Sequence, residues 1–230
     1  MNGILEALSG IWNIRDAFFE GATVTVQLFF FTMLFSIPAA LPVALGSNCK
    51  IPPLRWLCKA YIWIFRGTPL MLQLFFFYYF VFPYIFNAPQ VSALTIAILT
   101  FTLNYGAYLA EIYRGGIESI HKGQYEAAYS LGLGKATTMF GIIIPQTVKR
   151  VLPSVSNEMI TLVKDTALVS CITLSDLFRV VTKQVSARSN PLLYIAPAIF
   201  YLLFTFVLTL LTGYLEKKFS VKGEKGSEGK

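Results

Sequence analysis

Ser154, Asn157, Glu158, Thr161, Lys164 and Asp165 stand at i, i+3, i+4, i+7, i+10 and i+11, so a helix through them lines all six along one side. Val151, Val155, Met159, Leu162 and Val163 fall on the other. Acid, base, hydroxyl and amide in one stripe are the groups that bind a small charged solute, and the adjacent Lys164 and Asp165 offer an opposite charge to each end of a zwitterion. Asn104 and Glu111 lie seven apart, hence also on one helical face, and either complete such a lining or serve helix contacts. The structural alternative is an internal ion pair, Lys164 with Glu158 or Asp165, that holds two helices together.

Other chemistries fail on the inventory. Cys49, Cys58 and Cys171 form no CxxC pair, and the single histidine, His121, cannot join them in a metal site. No GxxxxGK[ST] sequence is present to cradle phosphates, so the chain is not expected to bind a nucleotide itself. An intramembrane hydrolase needs a base at depth, and His121 falls in a loop.

The elements that must position the stripe follow from composition. With 55% hydrophobic and 13% charged residues against an average of about 25% charged, the chain carries roughly half the usual charge. Its solvent is the bilayer. Residues 21–49, 67–110 and 189–215 contain no charged side chain. The middle run is too long for one crossing and is interrupted by Pro83, Asn87 and Pro89, so it yields two spans, near 69–86 and 91–112. The charged stripe near 151–173 supplies the fourth of five. Each charge at the bilayer centre costs about 3 kcal/mol. The stripe is therefore expected to face protein or a watery cavity, leaving the apolar side of that helix free to meet lipid.

The basic residues encode orientation rather than a nucleic-acid surface, because they lie between apolar runs. Lys50, Arg55, Lys59, Arg114, Lys122, Lys135, Lys149, Arg150 and the tail lysines fall on one side, against Arg15, Arg179, Lys183 and Arg188 on the other. By the positive-inside rule the N-terminus faces outward and the C-terminus the cytoplasm. Residues 1–17 lack a signal-peptide start and read as an interfacial helix, residues 18–216 as one transmembrane domain, and 217–230 as a disordered tail.

Arg66, Gly67, Thr68 and Pro69 read as a helix end followed by a new start, with Gly67 suited to a left-handed position, Thr68 to an N-cap and Pro69 to a first turn. The span entered there is expected to be broken, unless this is an ordinary interfacial turn with a snorkelling arginine. Between the third and fourth spans, residues 123–131 read as a helix, Gly132-Leu133-Gly134 as a turn and 135–144 as a second helix before Pro145. Small residues on this hairpin allow another backbone to approach.

Glu126-Ala127-Ala128, then Gly132, then Ile142, Ile144 and Pro145, resembles the EAA loop of ABC importer permeases, which inserts into a groove on a cytoplasmic ATPase. The family's leucine before the proline is Ile144 here, of similar volume. Arg66 to Leu70, Tyr108 to Gly116 and Lys164 to Ser170 resemble the polar amino acid branch, with Ala167 where many members carry serine. The resemblance covers residues 18–216. It implies an all-α, five-span permease bundle of the type I importer class, with an ATPase-coupling loop at about 115–147 carrying Glu126, Ala127, Ala128, Gly132 and Pro145. It implies a gate or helix break at Arg66, Gly67, Thr68 and Pro69, and a substrate path drawn from Asp165, Lys164, Glu158, Thr161 and Asn104. It implies partners: cytoplasmic ABC ATPases that hold ATP and Mg²⁺, a second permease subunit as homo- or heterodimer, an extracytoplasmic amino-acid-binding protein and the lipid of a bacterial cytoplasmic membrane. No cofactor and no catalytic site are expected on this chain. The alternative, an ion-coupled secondary transporter, would show inverted repeats, and none is found.

Overall fold

A computed structural model describes residues 15–219, and among these every regular element is a helix or helical turn. The elements are α1 (Arg15–Ser47), α2 (Pro52–Gly67), α3 (Leu70–Ile85), α4 (Ala93–Glu118), α5 (Lys122–Ser130), α6 (Lys135–Thr138), α7 (Ile144–Asp165), α8 (Leu177–Arg188) and α9 (Ile195–Phe219). The proposed interfacial helix falls almost wholly outside the described residues, apart from residues 15–17, which open α1. Lys217 and Lys218 belong to α9 rather than to a tail, and the remainder of the tail is also outside the described residues.

α1, α4 and the segment Pro191–Phe219 are long and apolar enough to cross a membrane; α2 and α3 qualify together, but the pair bends by 106°. α7 does not qualify by composition, because it carries Lys149 and Arg150 as well as Glu158, Lys164 and Asp165. Residues 52–67, outside the span expected near 69–86, form a helix because Pro52 and Pro53 start it and Ile62 and Tyr61 pack it against α1 and α4.

α4 is the central post and α9 the most peripheral of the apolar helices. Small residues let α1 approach it: Thr25, Thr32, Ser36, Ala40 and Ala44 are fully buried, as are Ala97, Thr100, Ala107 and Ala110 on α4. In lipid, where apolar surfaces gain little by mutual burial, such close backbone approach supplies the packing energy. Larger side chains fill another part of the bundle, with Leu28, Leu74, Phe101, Tyr105, Leu162 and Val163 in one cluster. α4 and α7 meet at Gly116, where a Cβ would run into Val151 and Thr147.

In the second half of α3, Pro83 removes a donor and the turns widen, with the Phe86 amide reaching the Val81 carbonyl five residues back at 3.0 Å. Of the stripe of α7, Glu158, Thr161 and Asp165 line a cavity while Ser154, Asn157 and Lys164 are exposed outside it, and the apolar side departs from expectation. Val151, Val155, Leu162 and Val163 are buried within the bundle instead of meeting lipid, because the cleft beside α4 takes them.

Candidate functional site: a charged cavity above an exposed hairpin

α7 brings Glu158, Thr161 and Asp165 to one wall of a cavity of about 630 Å³, α4 brings Asn104, Tyr105 and Tyr108 to a second, and Arg66-Gly67-Thr68-Pro69 close it at the α2–α3 junction. That volume suits a small solute. Two stretches separated by some ninety residues, expected as gate and substrate path, thus meet around one space. The Tyr105 hydroxyl donates to Asp165 Oδ2 at 2.7 Å, and the Arg66 guanidinium lies 5.4 Å from the centre of the Tyr108 ring. Lys164 is exposed, does not line the cavity and makes no ion pair with Glu158 or Asp165 among the described residues.

The junction is held by amides. Thr68 is extended (φ −121°, ψ 144°), as a residue before proline prefers, and Pro69 offers no N–H, so the α2 carbonyls lose their helical donors. Gln73 Nε2 replaces them, reaching Phe65 O at 2.9 Å, Thr68 O at 3.0 Å and Thr68 Oγ1 at 2.7 Å. Asn104 Nδ2, on a residue 4% exposed, donates to Phe65 O at 3.0 Å and to Gln73 Oε1 at 2.9 Å. The break falls at the expected residues with different capping: Gly67 is not left-handed, Pro69 occupies the N-cap position, and the Thr68 hydroxyl turns back to Ile64 O at 2.8 Å rather than capping α3. Gln73, Tyr105 and Tyr108 were missed from the sequence. Tyr108 and Glu111 follow Asn104 at i+4 and i+7, a spacing that marks their common face.

Glu111 is not among the lining residues; it pairs with Arg114 at 2.6 Å and with Arg66, at the cavity's edge, at 3.7 Å.

The hairpin stands clear of the bundle. Ala128 is 2% exposed, its apolar anchor, while Glu126, Ala127, Gly132 and Pro145 are exposed and Leu131 is 78% exposed. α5 starts on His121, whose Nδ1 accepts from the Gly123 amide at 3.1 Å, and ends through Gly132 at φ +75°, where the Leu133 amide returns to Ala128 O at 3.0 Å. Ile117, Ile120 and Ile143 bury its base beside Leu45 and Tyr125. An exposed helix on a buried foot is built to bear against something else.

A bundle of long apolar helices with a charged open cavity and a protruding loop has the make-up of a membrane transport component. Residues 36–221 match the family of binding-protein-dependent transport system inner membrane components, and the chain belongs to that family. It is 37% identical to the L-cystine transport system permease protein TcyB of Bacillus subtilis, over 86% of this chain and 84% of that one. To the glutamine transport system permease protein GlnP of Escherichia coli it is 32% identical, over 93% and 97%. To the arginine transport system permease protein ArtQ of Bacillus subtilis it is 34% identical, over 86% and 90%. Among solved structures, a crystal structure of an amino acid ABC transporter with histidines superposes with a TM-score of 0.82 at 32% identity, covering 90% of this chain and 96% of that one. The MetNI methionine ABC transporter shares the fold at 15% identity and a TM-score of 0.73, covering 92% and 98%.

Proposed function

We propose that this chain is one half of the transmembrane unit of an ATP-driven importer for basic amino acids, with the path running through the cavity between α4, α7 and the α2–α3 junction. The observation that carries the substrate class is the charge of the lining: Glu158 and Asp165 against Arg66, a net of one negative charge. Arg66 suits the solute's carboxylate, and the two acids suit an α-ammonium and a cationic side chain. Arginine, making those three contacts, would leave no charge unpaired, whereas a neutral side chain would leave one carboxylate unanswered in a site where unpaired charge is costly. The names of the cystine, glutamine and arginine permeases support the amino acid class.

The fold crosses the membrane five times, with α7 as the charged fourth span, the N-terminus outside and the C-terminus in the cytoplasm. A binding protein delivers the solute from outside. The α5 hairpin, with Glu126, Ala127, Ala128 and Gly132, docks on a cytoplasmic ATPase that holds the ATP and Mg²⁺, and Pro145 starts the helix that carries the motion upward to Glu158 and Asp165. Each nucleotide state favours one orientation of the cavity through that contact, since a switch moves only by differential binding. Ser154, Asn157 and Lys164 are exposed on the single chain. A second permease subunit covers them.

The test is uptake of radiolabelled arginine by the complete complex in liposomes. Asp165→Asn keeps the ATPase bound and removes most of the arginine uptake. Undiminished uptake would place the solute elsewhere.

A further inference from the structure

A ladder of charge runs down α4 from the cavity to the foot of the hairpin. Arg66, at the cavity's edge, lies 3.7 Å from Glu111 Oε1. Glu111 takes two hydrogen bonds from Arg114, at 3.0 Å from Nε and 2.6 Å from Nη2. The remaining arm of Arg114, Nη1, reaches both oxygens of Glu118 at 2.7 Å. Glu118 also accepts from Asn48 Nδ2 at 3.1 Å. The next residue, Ser119, closes the path to the hairpin's other leg: its carbonyl accepts from Arg150 Nη1 at 2.7 Å, and Gln146 Nε2 donates to Gln124 Oε1 at 3.2 Å a turn away.

Two features separate this ladder from surface decoration. Its two glutamates each reach off α4, Glu111 to Arg66 near the end of α2 and Glu118 to Asn48 in the turn that follows α1, and Arg114 is the one side chain that joins them. Solvent-exposed ion pairs contribute little to stability, which makes the ladder a weak brace for a helix already continuous from Ala93 to Glu118. Its distinctive property is connectivity.

We propose that Arg114 is the transmission residue of this permease: by bridging Glu111 and Glu118 it reports occupancy at the Arg66 edge of the cavity to the foot of the ATPase-facing hairpin. The inference rests on the cavity's being the substrate site. A solute carboxylate drawn to Arg66 competes with Glu111 for the guanidinium and leaves Glu111 wholly to Arg114, while the α2–α3 junction, freed of that tether, shifts relative to α4. In the other direction, a push on the hairpin moves Ser119 and Glu118 and retracts Glu111 from Arg66. Both sites therefore bias one bistable contact, which is what a physical coupling requires.

The experiment uses the complete transporter with its ATPase and binding protein in liposomes, and compares arginine binding, basal ATP hydrolysis and arginine-stimulated ATP hydrolysis. Arg114→Lys, which keeps the charge but not the forked geometry, and Glu118→Gln are expected to bind arginine within twofold of the parent and to lose at least fivefold of the stimulation. If Arg114→Lys does not assemble, Glu118→Gln decides alone, its side chain being half exposed. Stimulation within twofold of the parent in the assembled variants overturns the proposal. So does a parallel loss of binding and stimulation, because the ladder would then only shape the cavity. Failure of the cavity as substrate site reads out separately, as unchanged arginine binding in Asp165→Asn.

Discussion

Gln73→Leu tests whether the α2–α3 junction is held by side-chain amides rather than by the shape of its surroundings. Leucine is close in volume, so packing changes little. What is lost is a donor to Phe65 O, Thr68 O and Thr68 Oγ1 and an acceptor for Asn104. Thr68 retains its bond to Ile64, and Asn104 retains Phe65, so the groups left without a side-chain partner are the Thr68 carbonyl and one amide hydrogen of Asn104. An unsatisfied buried group costs about 1–3 kcal/mol. Side-chain hydrogen bonds inside membrane proteins average only about 0.6 kcal/mol because the alternative state finds partners too. Two such groups bracket the loss at about 1–6 kcal/mol, and about 2 kcal/mol, roughly thirtyfold in the unfolding equilibrium, is the working value. Reversible unfolding in mixed micelles, followed by the fluorescence of Trp56 and Trp63 on α2, measures it. Asn104→Leu alone is expected to cost a similar amount, and the double variant less than the sum, since removing both partners orphans fewer groups than removing either. A Gln73→Leu protein within 0.5 kcal/mol of the parent, or strict additivity in the double variant, refutes the amide clamp.

At the hairpin, Gly132 has open space around its Cβ position but sits at φ +75°, so Gly132→Val is penalised by backbone conformation alone, by about 1–2 kcal/mol. Co-purification of the ATPase is expected to weaken roughly tenfold with valine and to persist with Gly132→Asn, which tolerates that conformation; equal behaviour of the two would remove backbone geometry as the cause. Asp176, buried in the loop before α8, has its carboxyl pushed from an ordinary 3.8 to about 6 by desolvation, against the pull of the Phe178 and Arg179 amides it caps. The folded state thus holds this proton more tightly than the unfolded one, and the stability it confers is present below pH 3.8 and lost as pH rises through 6, by up to about 3 kcal/mol. Melting temperature in detergent should fall between pH 4 and 7 less steeply for Asp176→Asn than for the parent; parallel curves would mean the group ionises as in water.

Charge and periodicity made the α7 stripe legible, and half of it, Glu158, Thr161 and Asp165, lines a cavity, while Ser154, Asn157 and Lys164 do not. The same pattern misled on the apolar side, because the spacing of polar and apolar residues tells only that two faces differ and not what covers the apolar one. That was decided by Gly116, whose missing Cβ opens the cleft into which Val151 and Thr147 fit. The break at residues 66–69 was readable from Gly and Pro, but not its capping, since the groups that satisfy it come from Gln73 and Asn104, five and more residues away. Asn104 was assigned to the cavity and does line it, yet its amide is already committed to Phe65 and Gln73. Tyr105 carried no signal of its own: a tyrosine in a run of apolar residues is ordinary, and only the fold brings its hydroxyl to Asp165.

The surfaces of the single chain divide by what each can face. α1 exposes Phe30, Leu34 and Phe35 and α9 exposes Leu202, Leu203, Phe206 and Leu210, with no charge among them, so both suit acyl chains. The outer edge of α7 exposes Ser154, Asn157, Thr161 and Lys164. Turned to hydrocarbon, Lys164 alone would cost about 3 kcal/mol, and the half-exposed Glu158 and Asp165 would add more. Folding cannot bury this edge internally, because the opposite side of the helix is already in the bundle core. It must be shielded by protein or water at the depth where α4 and α7 hold the cavity. The helix spends its apolar face on its own bundle and leaves this polar edge uncovered among the described residues, and the second permease subunit proposed above is the cover that such an edge would require.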